Sequence, residues 1–354
     1  MSKFFSNKFN TLVPYTPGEQ PKDTQYIKLN TNESPYSPSK KAVNYACKAS
    51  ENVQLYSDPE CRELVKTAAE KFNISQDEII FTNGSDEVLN FAFMAYCDDK
   101  CPAVFADITY GFYKVFAQIN NIKSKVIPLK EDFSIDITDY YNANGTIFIA
   151  NPNAPTGIAL TLKEIELILQ NNKDNIVVID EAYVDFGAQS VVSLTKKYDN
   201  LLVTQTFSKS RSLAGGRLGF GIASKEIIRD LNTIKYSTNP YNVNSLTMAM
   251  GVGTLLDDEY CMDNCKKVMT TRAWTVNELS NLGFSMTDSK ANFIFAKHNK
   301  ISGKDIYLKL KEKGVLIRHF DTEKLTDYNR ITIGSEEQMK IFIERLKEVL
   351  EELK

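Results

Sequence analysis

The sequence predicts an α/β fold in which a mostly parallel sheet lies between layers of helices, with a smaller α+β domain after it. Three observations predict it. Short apolar runs alternate with helical stretches from about residue 60 onward, polar residues directly follow most of these runs, and the pattern changes after about residue 245. Short, almost wholly apolar strands are typical of a parallel sheet that is buried on both faces.

The candidate strands of the large sheet are short and almost free of polar residues. They are residues 79–81, 103–106, 147–150, 176–179, 201–203 and 218–222. Polar groups follow five of them, beginning at Asn83, Asp107, Asn151, Asp180 and Thr206. Because ligands of open α/β sheets bind beyond the carboxyl ends of the strands, we expect these groups to surround one cleft.

Three segments are expected along the chain. Residues 1–40 are rich in Pro and Gly and predict an irregular N-terminal arm, in which Tyr15, Tyr26, Ile27 and Leu29 are expected to be buried. Residues 41–245 would form the large domain, and residues 246–354 the small one. The small domain would contain strands at 293–295 and 330–333 and a final amphipathic helix, which a capping box at residues 335–338 begins.

The composition narrows the class of protein. The chain has 354 residues, of which 43% are hydrophobic and 25% charged, as is ordinary for a globular protein of two domains. A net charge of −3, with acids and bases interspersed, favours neither nucleic acid nor a membrane surface as a partner. No apolar run has the length of a membrane span or of a signal-peptide core, so we expect a cytoplasmic location.

Cysteine and histidine give little chemistry. The pairs Cys97/Cys101 and Cys261/Cys265 have a spacing that zinc ligands use, but they lie far apart and have no nearby histidine. We therefore expect reduced, structural thiols and no metal. The chain has only 2 histidines, and neither adjoins a nucleophile motif, so the chemistry must use Lys, Asp, Tyr and Arg or a cofactor.

Lys209 is the most informative residue. It follows the predicted strand 201–203 in the run T-F-S-K, and Arg217 comes eight residues later in a glycine-rich segment. An amine in this position suits a cofactor that carries an aldehyde, because hydroxyls such as those of Thr206 and Ser208 and a guanidinium bind phosphate well. Read alone, however, a lysine of this kind is more often a surface residue at the start of a loop.

A second candidate phosphate site lies at Gly84 and Ser85. They follow the strand 79–81 and open a helical run over residues 86–96. The first turn of a helix offers free N–H groups and the positive end of the helix dipole, which suit a phosphate dianion. The alternative is an ordinary helix cap.

Six motifs occur in order along the chain. They are L-N-T-N-E-S-P at 29–35, N-G-S-D-E at 83–87, N-P-N-A-P-T-G at 151–157, D-E-A-Y at 180–183, T-F-S-K-S at 206–210 and R-I-T-I-G at 330–334. Together they resemble the fold-type I pyridoxal-phosphate enzymes and, within them, the histidinol-phosphate aminotransferase family. The resemblance covers nearly the whole chain.

This resemblance implies that pyridoxal 5′-phosphate is the cofactor and that Lys209 binds its aldehyde. The implied phosphate ligands are Gly84, Ser85, Thr206, Ser208 and Arg217, with Tyr56 reaching the phosphate from the other subunit of a homodimer. Asp86 is a further implied cofactor-binding residue. Tyr110 would stack on the cofactor ring. Asn153 and Tyr183 would donate to the 3-oxygen of the ring, with Asn151 as the competing amide.

The implied catalytic residues are Lys209, Asp180 and Tyr183. The carboxylate of Asp180 would favour the protonated ring nitrogen, because an opposite charge stabilises the charged form. Lys209 would move a proton as a free amine, and burial near Arg217 should lower its pKa.

The resemblance also implies substrate-binding residues and a reaction. These residues are Arg330 and Arg318, which would bind the anionic end of the substrate, and Tyr15 and Asn32 of the arm. We expect a cytoplasmic homodimer that exchanges an amino group between L-histidinol phosphate and glutamate. An L-threonine-O-3-phosphate decarboxylase and an aromatic amino-acid aminotransferase of the same family remain open.

Two other classes are disfavoured. The glycines at 216, 219 and 221 do not have the order of a dinucleotide-binding fingerprint. A regulatory module with an aminotransferase-like domain would carry a basic DNA-binding domain ahead of it, whereas only a short arm precedes Tyr15.

Overall fold

A computed structural model describes residues 2–20 and 26–354 of the chain. The strands of these residues are β1 (Ile27–Lys28), β2 (Ile79–Thr82), β3 (Ala103–Ala106), β4 (Ser124–Ile127), β5 (Thr146–Ala150), β6 (Val177–Asp180), β7 (Leu201–Thr206), β8 (Gly219–Ile222), β9 (Phe284–Met286), β10 (Phe293–His298), β11 (Val315–Leu316), β12 (Arg318–His319) and β13 (Tyr328–Thr332). The α-helices are α1 (Lys40–Ala49), α2 (Arg62–Phe72), α3 (Ser85–Tyr96), α4 (Phe112–Ile119), α5 (Leu162–Gln170), α6 (Lys225–Thr238), α7 (Ser245–Leu255), α8 (Asp258–Asn281), α9 (Gly303–Glu312) and α10 (Glu336–Glu352).

The larger sheet has the spatial order β2-β8-β7-β6-β5-β3-β4. From β7 to β4 all neighbouring strands are parallel, whereas β8 is antiparallel to both β7 and β2. The parallel strands β3, β5, β6 and β7 therefore end at the same edge of the sheet, where their connections form a cleft.

Both faces of this sheet are covered. On one face Phe148 of β5 stacks on Phe93 of α3 at a ring-centroid distance of 4.1 Å, in a cluster that also contains Leu231 of α6. On the other face Ile147 packs in a cluster with Ile165 of α5. Successive residues of a strand point to opposite faces, so an apolar run such as β5 supplies both clusters.

The smaller sheet is antiparallel, in the order β12-β13-β10-β9, and α8, α9 and α10 pack against it. A capping box between Ser335 and Gln338 begins α10, whose residues Phe342 and Leu346 are buried. Strand β1 of the arm pairs in parallel with β11, which brings the arm against the small region.

The predicted fold class is confirmed. The six predicted strands of the large sheet are present with ends shifted by a few residues, but β4 was not predicted, because three of its four residues are exposed and only Ile127 is buried. In the arm, Leu29 is buried, and Tyr26 and Ile27 are half-buried. The expected burial of Tyr15 is wrong, because its side chain is 41% exposed and its ring packs on Phe112 at a tilt of 31°. The division into domains at residues 40 and 245 stays a prediction.

Among residues 2–20 and 26–354, no helix has both the length and the apolar character needed to cross a lipid bilayer.

Candidate active site

Two adjoining cavities lie at the carboxyl ends of the parallel strands. Their volumes are about 360 and about 680 Å³, and both are lined by Thr31, Tyr110, Tyr183 and Lys209. The smaller cavity extends towards the N-terminus of α3, and the larger one towards the arm and the small sheet. Lys209 therefore lies where the two cavities meet.

The far end of the smaller cavity is a cup built from the first turn of α3 and from the segment after β7. Ser208 connects its parts: its hydroxyl accepts from Thr206 Oγ1 at 3.0 Å and from Arg217 Nη1 at 3.4 Å. Gly84 has φ +81°, and a Cβ there would lie 2.5 Å from Arg217 Nη2. Only glycine allows the guanidinium to approach the first turn of the helix this closely.

Asp86 lies beside this cup. Its carboxylate accepts from Tyr110 Oη at 2.6 Å and from Arg217 Nη2 at 3.1 Å. The two contacts fix the Tyr110 side chain and the Arg217 guanidinium relative to each other. The backbone N–H groups of Ser85 and Asp86 belong to the unpaired first turn of α3 and are free to bind an anion.

Asp180 is the last residue of β6 and only 4% exposed. Its carboxylate accepts from Tyr113 Oη at 3.2 Å and from the Ala182 backbone N–H at 3.2 Å. Burial, and next the charge of Asp86, raise the pKa of Asp180 to about 7. A carboxylate of this kind is stabilised in its charged form by a cation placed beside it.

Lys209 comes three residues after β7 and lines both cavities, of which the smaller is also lined by Asp180 and the larger by Arg330. Its Nζ donates to the Thr31 carbonyl oxygen at 3.3 Å and lies 5.9 Å from the centre of the Tyr183 ring. Burial lowers the pKa of Lys209 to about 8, and the next largest cause is the positive charge of Arg330. The expected lowering of the pKa is confirmed, but Arg217 contributes less to it than Arg330 does.

Tyr183 and Asn32 form a second fixed unit. Asn32 Nδ2 donates to Tyr183 Oη at 3.0 Å, and burial raises the pKa of the Tyr183 phenol. The backbone N–H of Asn32 in turn donates to Thr332 Oγ1 at 2.9 Å, so β13 holds this part of the arm.

The structure does not bring Asn153 into either cavity. Its Nδ2 donates to the Ile108 carbonyl oxygen at 3.0 Å and to Thr156 Oγ1 at 3.1 Å, and its Oδ1 accepts from Thr109 Oγ1 at 2.8 Å. Its competitor Asn151 is bonded within its own loop, where Oδ1 accepts from the Leu160 N–H at 2.7 Å. The predicted contact of Asn153 with a ring oxygen therefore stays a prediction and requires a rotation of the amide.

Tyr56 also lies outside both cavities. It is 85% exposed, and its ring stacks on that of Tyr241 at a centroid distance of 4.7 Å. A side chain so placed cannot contact the cleft of its own chain.

Arg330, on β13, lines the larger cavity. Nη2 donates to the Asn30 carbonyl oxygen at 2.9 Å, and the buried Nε has no partner among the described residues. The guanidinium carbon lies 5.4 Å from the centre of the Phe293 ring. No carboxylate pairs with this arginine in the described part of the chain, so its charge remains available to an anion.

Arg318 is engaged differently, because it holds the arm. It donates to the carbonyl oxygens of Thr16 and Pro17 at 3.3 and 3.4 Å. Glu19 extends the attachment by accepting from Lys311 Nζ at 2.6 Å and from Tyr307 Oη. The arm thus crosses the mouth of the larger cavity.

Two residues of the site were not predicted. Tyr113, which donates to Asp180, lies on α4 three residues after Tyr110, and the aromatic run T-Y-G-F-Y was the available signal. Thr31 binds Lys209 through its backbone carbonyl oxygen, which no side-chain pattern reveals.

The cysteines and the other side chains that could bind a metal lie apart in the described part of the chain. All six cysteines are free thiols. Within residues 2–20 and 26–354, no group of three or more His, Cys, Asp or Glu side chains could hold a metal ion.

Comparisons with known proteins agree with this geometry. Residues 24–346 match the family described as aminotransferase class I and II. A histidinol-phosphate aminotransferase of Brachyspira hyodysenteriae is 51% identical over 99% of both chains, and one of Clostridium botulinum is 47% identical over 100% of both. A crystal structure of histidinol-phosphate aminotransferase from Sinorhizobium meliloti in complex with pyridoxal-5′-phosphate has a TM-score of 0.90, with 20% identity, over 100% of this chain and 99% of that one.

At 20% identity the Sinorhizobium structure shows the fold alone, which is that of the fold-type I aminotransferases. The sequence relatives, at about 50% identity over their whole length, show the family. The resemblance inferred from the six motifs is confirmed, and the chain belongs to the histidinol-phosphate aminotransferase family of the class I and II aminotransferases, which depend on pyridoxal 5′-phosphate.

Proposed function

We propose that the chain is a homodimeric, cytoplasmic aminotransferase that exchanges an amino group between L-histidinol phosphate and 2-oxoglutarate. The observation that carries the proposal is the position of Lys209. Its amine lies where a cup for an anion meets a cavity lined by Arg330, whose guanidinium pairs with no carboxylate of the described residues. The names of the relatives, at 51% and 47% identity, support the choice of substrate.

The residues of the smaller cavity fit pyridoxal 5′-phosphate. The cup of Gly84, Ser85, Thr206, Ser208 and Arg217, in which a Cβ at position 84 would collide with the guanidinium, suits its phosphate. Asp180 is a buried carboxylate with no cationic partner among the described residues, and a protonated ring nitrogen would supply one. Tyr110, which Asp86 holds, would cover the ring.

The remaining chemistry falls to this chain's own residues. When bound, the cofactor supplies an electron-accepting ring for the electron pair of the substrate's Cα–H bond. Lys209 Nζ takes the proton from Cα, and a pKa of about 8 leaves a useful fraction of the amine unprotonated near neutral pH. Tyr183, whose hydroxyl accepts from Asn32 Nδ2, would donate to the 3-oxygen of the ring.

Arg330 would bind the anionic end of both substrates in turn. A planar guanidinium accommodates the carboxylate of glutamate and the phosphate of histidinol phosphate with similar geometry. Arg318 and Tyr15 would then contact the substrate only as far as the arm allows, because Arg318 already donates to the backbone of the arm.

A homodimer would explain the position of Tyr56. Its phenol is exposed and remote from its own cup, so it is free to reach the cofactor phosphate of a second copy. The cytoplasm is proposed because six free thiols fit a reducing compartment.

The test is a panel of half-reactions on the purified protein. Histidinol phosphate should convert the visible absorption band of the cofactor and should yield glutamate when 2-oxoglutarate is added. Release of carbon dioxide from phosphothreonine without glutamate formation would instead identify a decarboxylase. Faster conversion with phenylalanine or tyrosine than with histidinol phosphate would identify an aromatic amino-acid aminotransferase.

A further inference from the structure

Helix α6 carries a buried amine that the reaction does not use. Lys235 is only 3% exposed, and its Nζ donates to the Pro59 carbonyl oxygen at 2.5 Å. Burying a lysine is costly unless its charge and donors are used, since an apolar side chain of the same length would fill the space at less cost. The contact with Pro59 is therefore the feature that requires a lysine here.

Pro59 belongs to a tightly bonded turn. The side-chain carboxylate of Asp58 accepts from the backbone N–H groups of Glu60 and Arg62 at 3.1 and 3.0 Å. The backbone carbonyl oxygen of Asp58 accepts from the Cys61 N–H at 3.1 Å. Cys61 adopts a left-handed φ of 52°, which non-glycine residues rarely do without support. Fixing the Pro59 carbonyl oxygen consequently fixes the whole turn.

Tyr56 lies three residues before Pro59 and depends on the same region for its position. Its ring stacks on Tyr241, which follows the C-terminus of α6 and whose N–H donates to Asn239 Oδ1 at 3.2 Å. The loop that carries Tyr56 is thus held at two points, by the amine of Lys235 inside the protein and by the ring of Tyr241 at its surface.

We propose that Lys235 is a positioning residue that holds the Pro59 turn, and with it Tyr56, in the orientation needed at the cofactor phosphate of the second subunit. The inference rests on the proposed function, in which Tyr56 acts on the other subunit of a homodimer. Burial lowers the pKa of Lys235, and the nearby carboxylates of Glu87, Asp58 and Glu60 oppose this lowering without cancelling it.

The experiment is a double-mutant cycle on the holoenzyme, read as the rate at which pyridoxal phosphate is released into a trap. Lys235→Met keeps the length of the side chain and removes the donor. Tyr56→Phe should speed release on the order of tenfold, the usual effect of losing a hydrogen bond to a charged group. Lys235→Met should speed release several-fold in the wild-type background and have no further effect in the Tyr56→Phe background.

Lys225→Met is the matched control, because Lys225 is an exposed lysine on the same helix. It should leave the release rate unchanged. Equal effects of Lys235→Met in both backgrounds would mean that the lysine merely supports the fold and would overturn the inference. If Lys235→Met does not fold, Lys235→Gln, which keeps a shorter donor, gives the same cycle with a smaller expected effect.

The cycle also separates the two levels of the proposal. If Tyr56→Phe releases pyridoxal phosphate at the wild-type rate, Tyr56 does not bind the cofactor phosphate of the other subunit. That part of the proposed function would then be wrong. If Lys235→Met releases pyridoxal phosphate at the wild-type rate while Tyr56→Phe releases it faster, only the role of Lys235 is overturned.

Discussion

The two ends of the cleft differ in what their arginines bind. At the cup, Arg217 pairs with Asp86, and Tyr110 donates to the same carboxylate. At the substrate end, Arg318 and Arg330 donate only to backbone carbonyl oxygens, and Arg330 Nε has no partner in the described part of the chain. An end that keeps one ligand for many turnovers is organised by its own ion pairs, whereas an end that exchanges anions retains unpaired cationic donors.

The largest expected effect on turnover is that of replacing Lys209, which lies between the two ends of the cleft. Lys209→Ala should lower turnover by about 10³-fold or more, because it removes the amine that carries the proton. The measurement is glutamate formation from histidinol phosphate and 2-oxoglutarate. Lys266→Ala, at an exposed lysine on α8, is the control. If Lys209→Ala kept a tenth of the wild-type rate, another base would have to serve the site.

At the cofactor end, Asp180→Asn tests the buried carboxylate. Because burial raises the pKa of Asp180 from 3.8 to about 7, the folded state binds a proton between those pH values that the unfolded state releases. The contribution of Asp180 to the free energy of unfolding is therefore fully present below pH 3.8, and it is lost as the pH rises through 7. Relative to Asp180→Asn, cofactor-free wild-type protein should lose on the order of a few kcal/mol of unfolding free energy over this window.

Urea unfolding at pH 4 and pH 7 measures this difference. Asp174→Asn, at an exposed loop position, should follow the wild-type pH dependence. If the free energy of unfolding has the same pH dependence in wild type and in Asp180→Asn, burial does not raise the pKa of Asp180 in the cofactor-free protein. The contrast between the two ends of the cleft would then weaken.

At the substrate end, the two arginines should differ. Arg330→Met should lower kcat/KM for glutamate and for histidinol phosphate by roughly 30- to 100-fold, the cost of one charge-assisted contact. Arg318→Met should lower it less, by about tenfold or under, since its guanidinium is already engaged by Thr16 and Pro17. Equal losses at both positions would contradict the assignment of Arg318 to the arm.

The smallest effect concerns the arm itself. Glu19→Gln removes an exposed ion pair with Lys311 and should raise KM about two- to fivefold without changing the release of pyridoxal phosphate. Steady-state kinetics and cofactor release together check this. Glu336→Gln, which breaks an exposed ion pair with Lys340 on α10, should change neither quantity. A change in cofactor release with Glu19→Gln would mean that the two ends of the cleft are coupled through the arm.

Much of the cofactor end could be predicted from the sequence, because it is built from strand ends. Asp180 is the last residue of the apolar strand β6, Lys209 comes three residues after β7, and Gly84 and Ser85 are the cap and the first residue of α3. The antiparallel direction of β8 and the edge strand β4 could not, since a short apolar run carries no direction and an exposed edge has no apolar run at all.

Contacts that depend on tertiary packing were out of reach of the sequence. The hydroxyl of Tyr113 meets Asp180 only after α4 has packed on the sheet, and the amide of Asn153 is bonded to the Ile108 carbonyl oxygen of a neighbouring loop. Residue type predicted which side chains bear chemistry, but not which of them already have partners.

Gly219 limits how far this enzyme can be altered. A Cβ at this position of β8 would lie 2.2 Å from the backbone nitrogen of Ser85, so any larger residue would force the strand and the first turn of α3 apart. Mutant libraries that aim at a different cofactor or a wider phosphate pocket should leave position 219 untouched and vary the arm, where new side chains meet solvent. Selection on such libraries would then change substrate choice long before it changes the vitamin on which the enzyme depends.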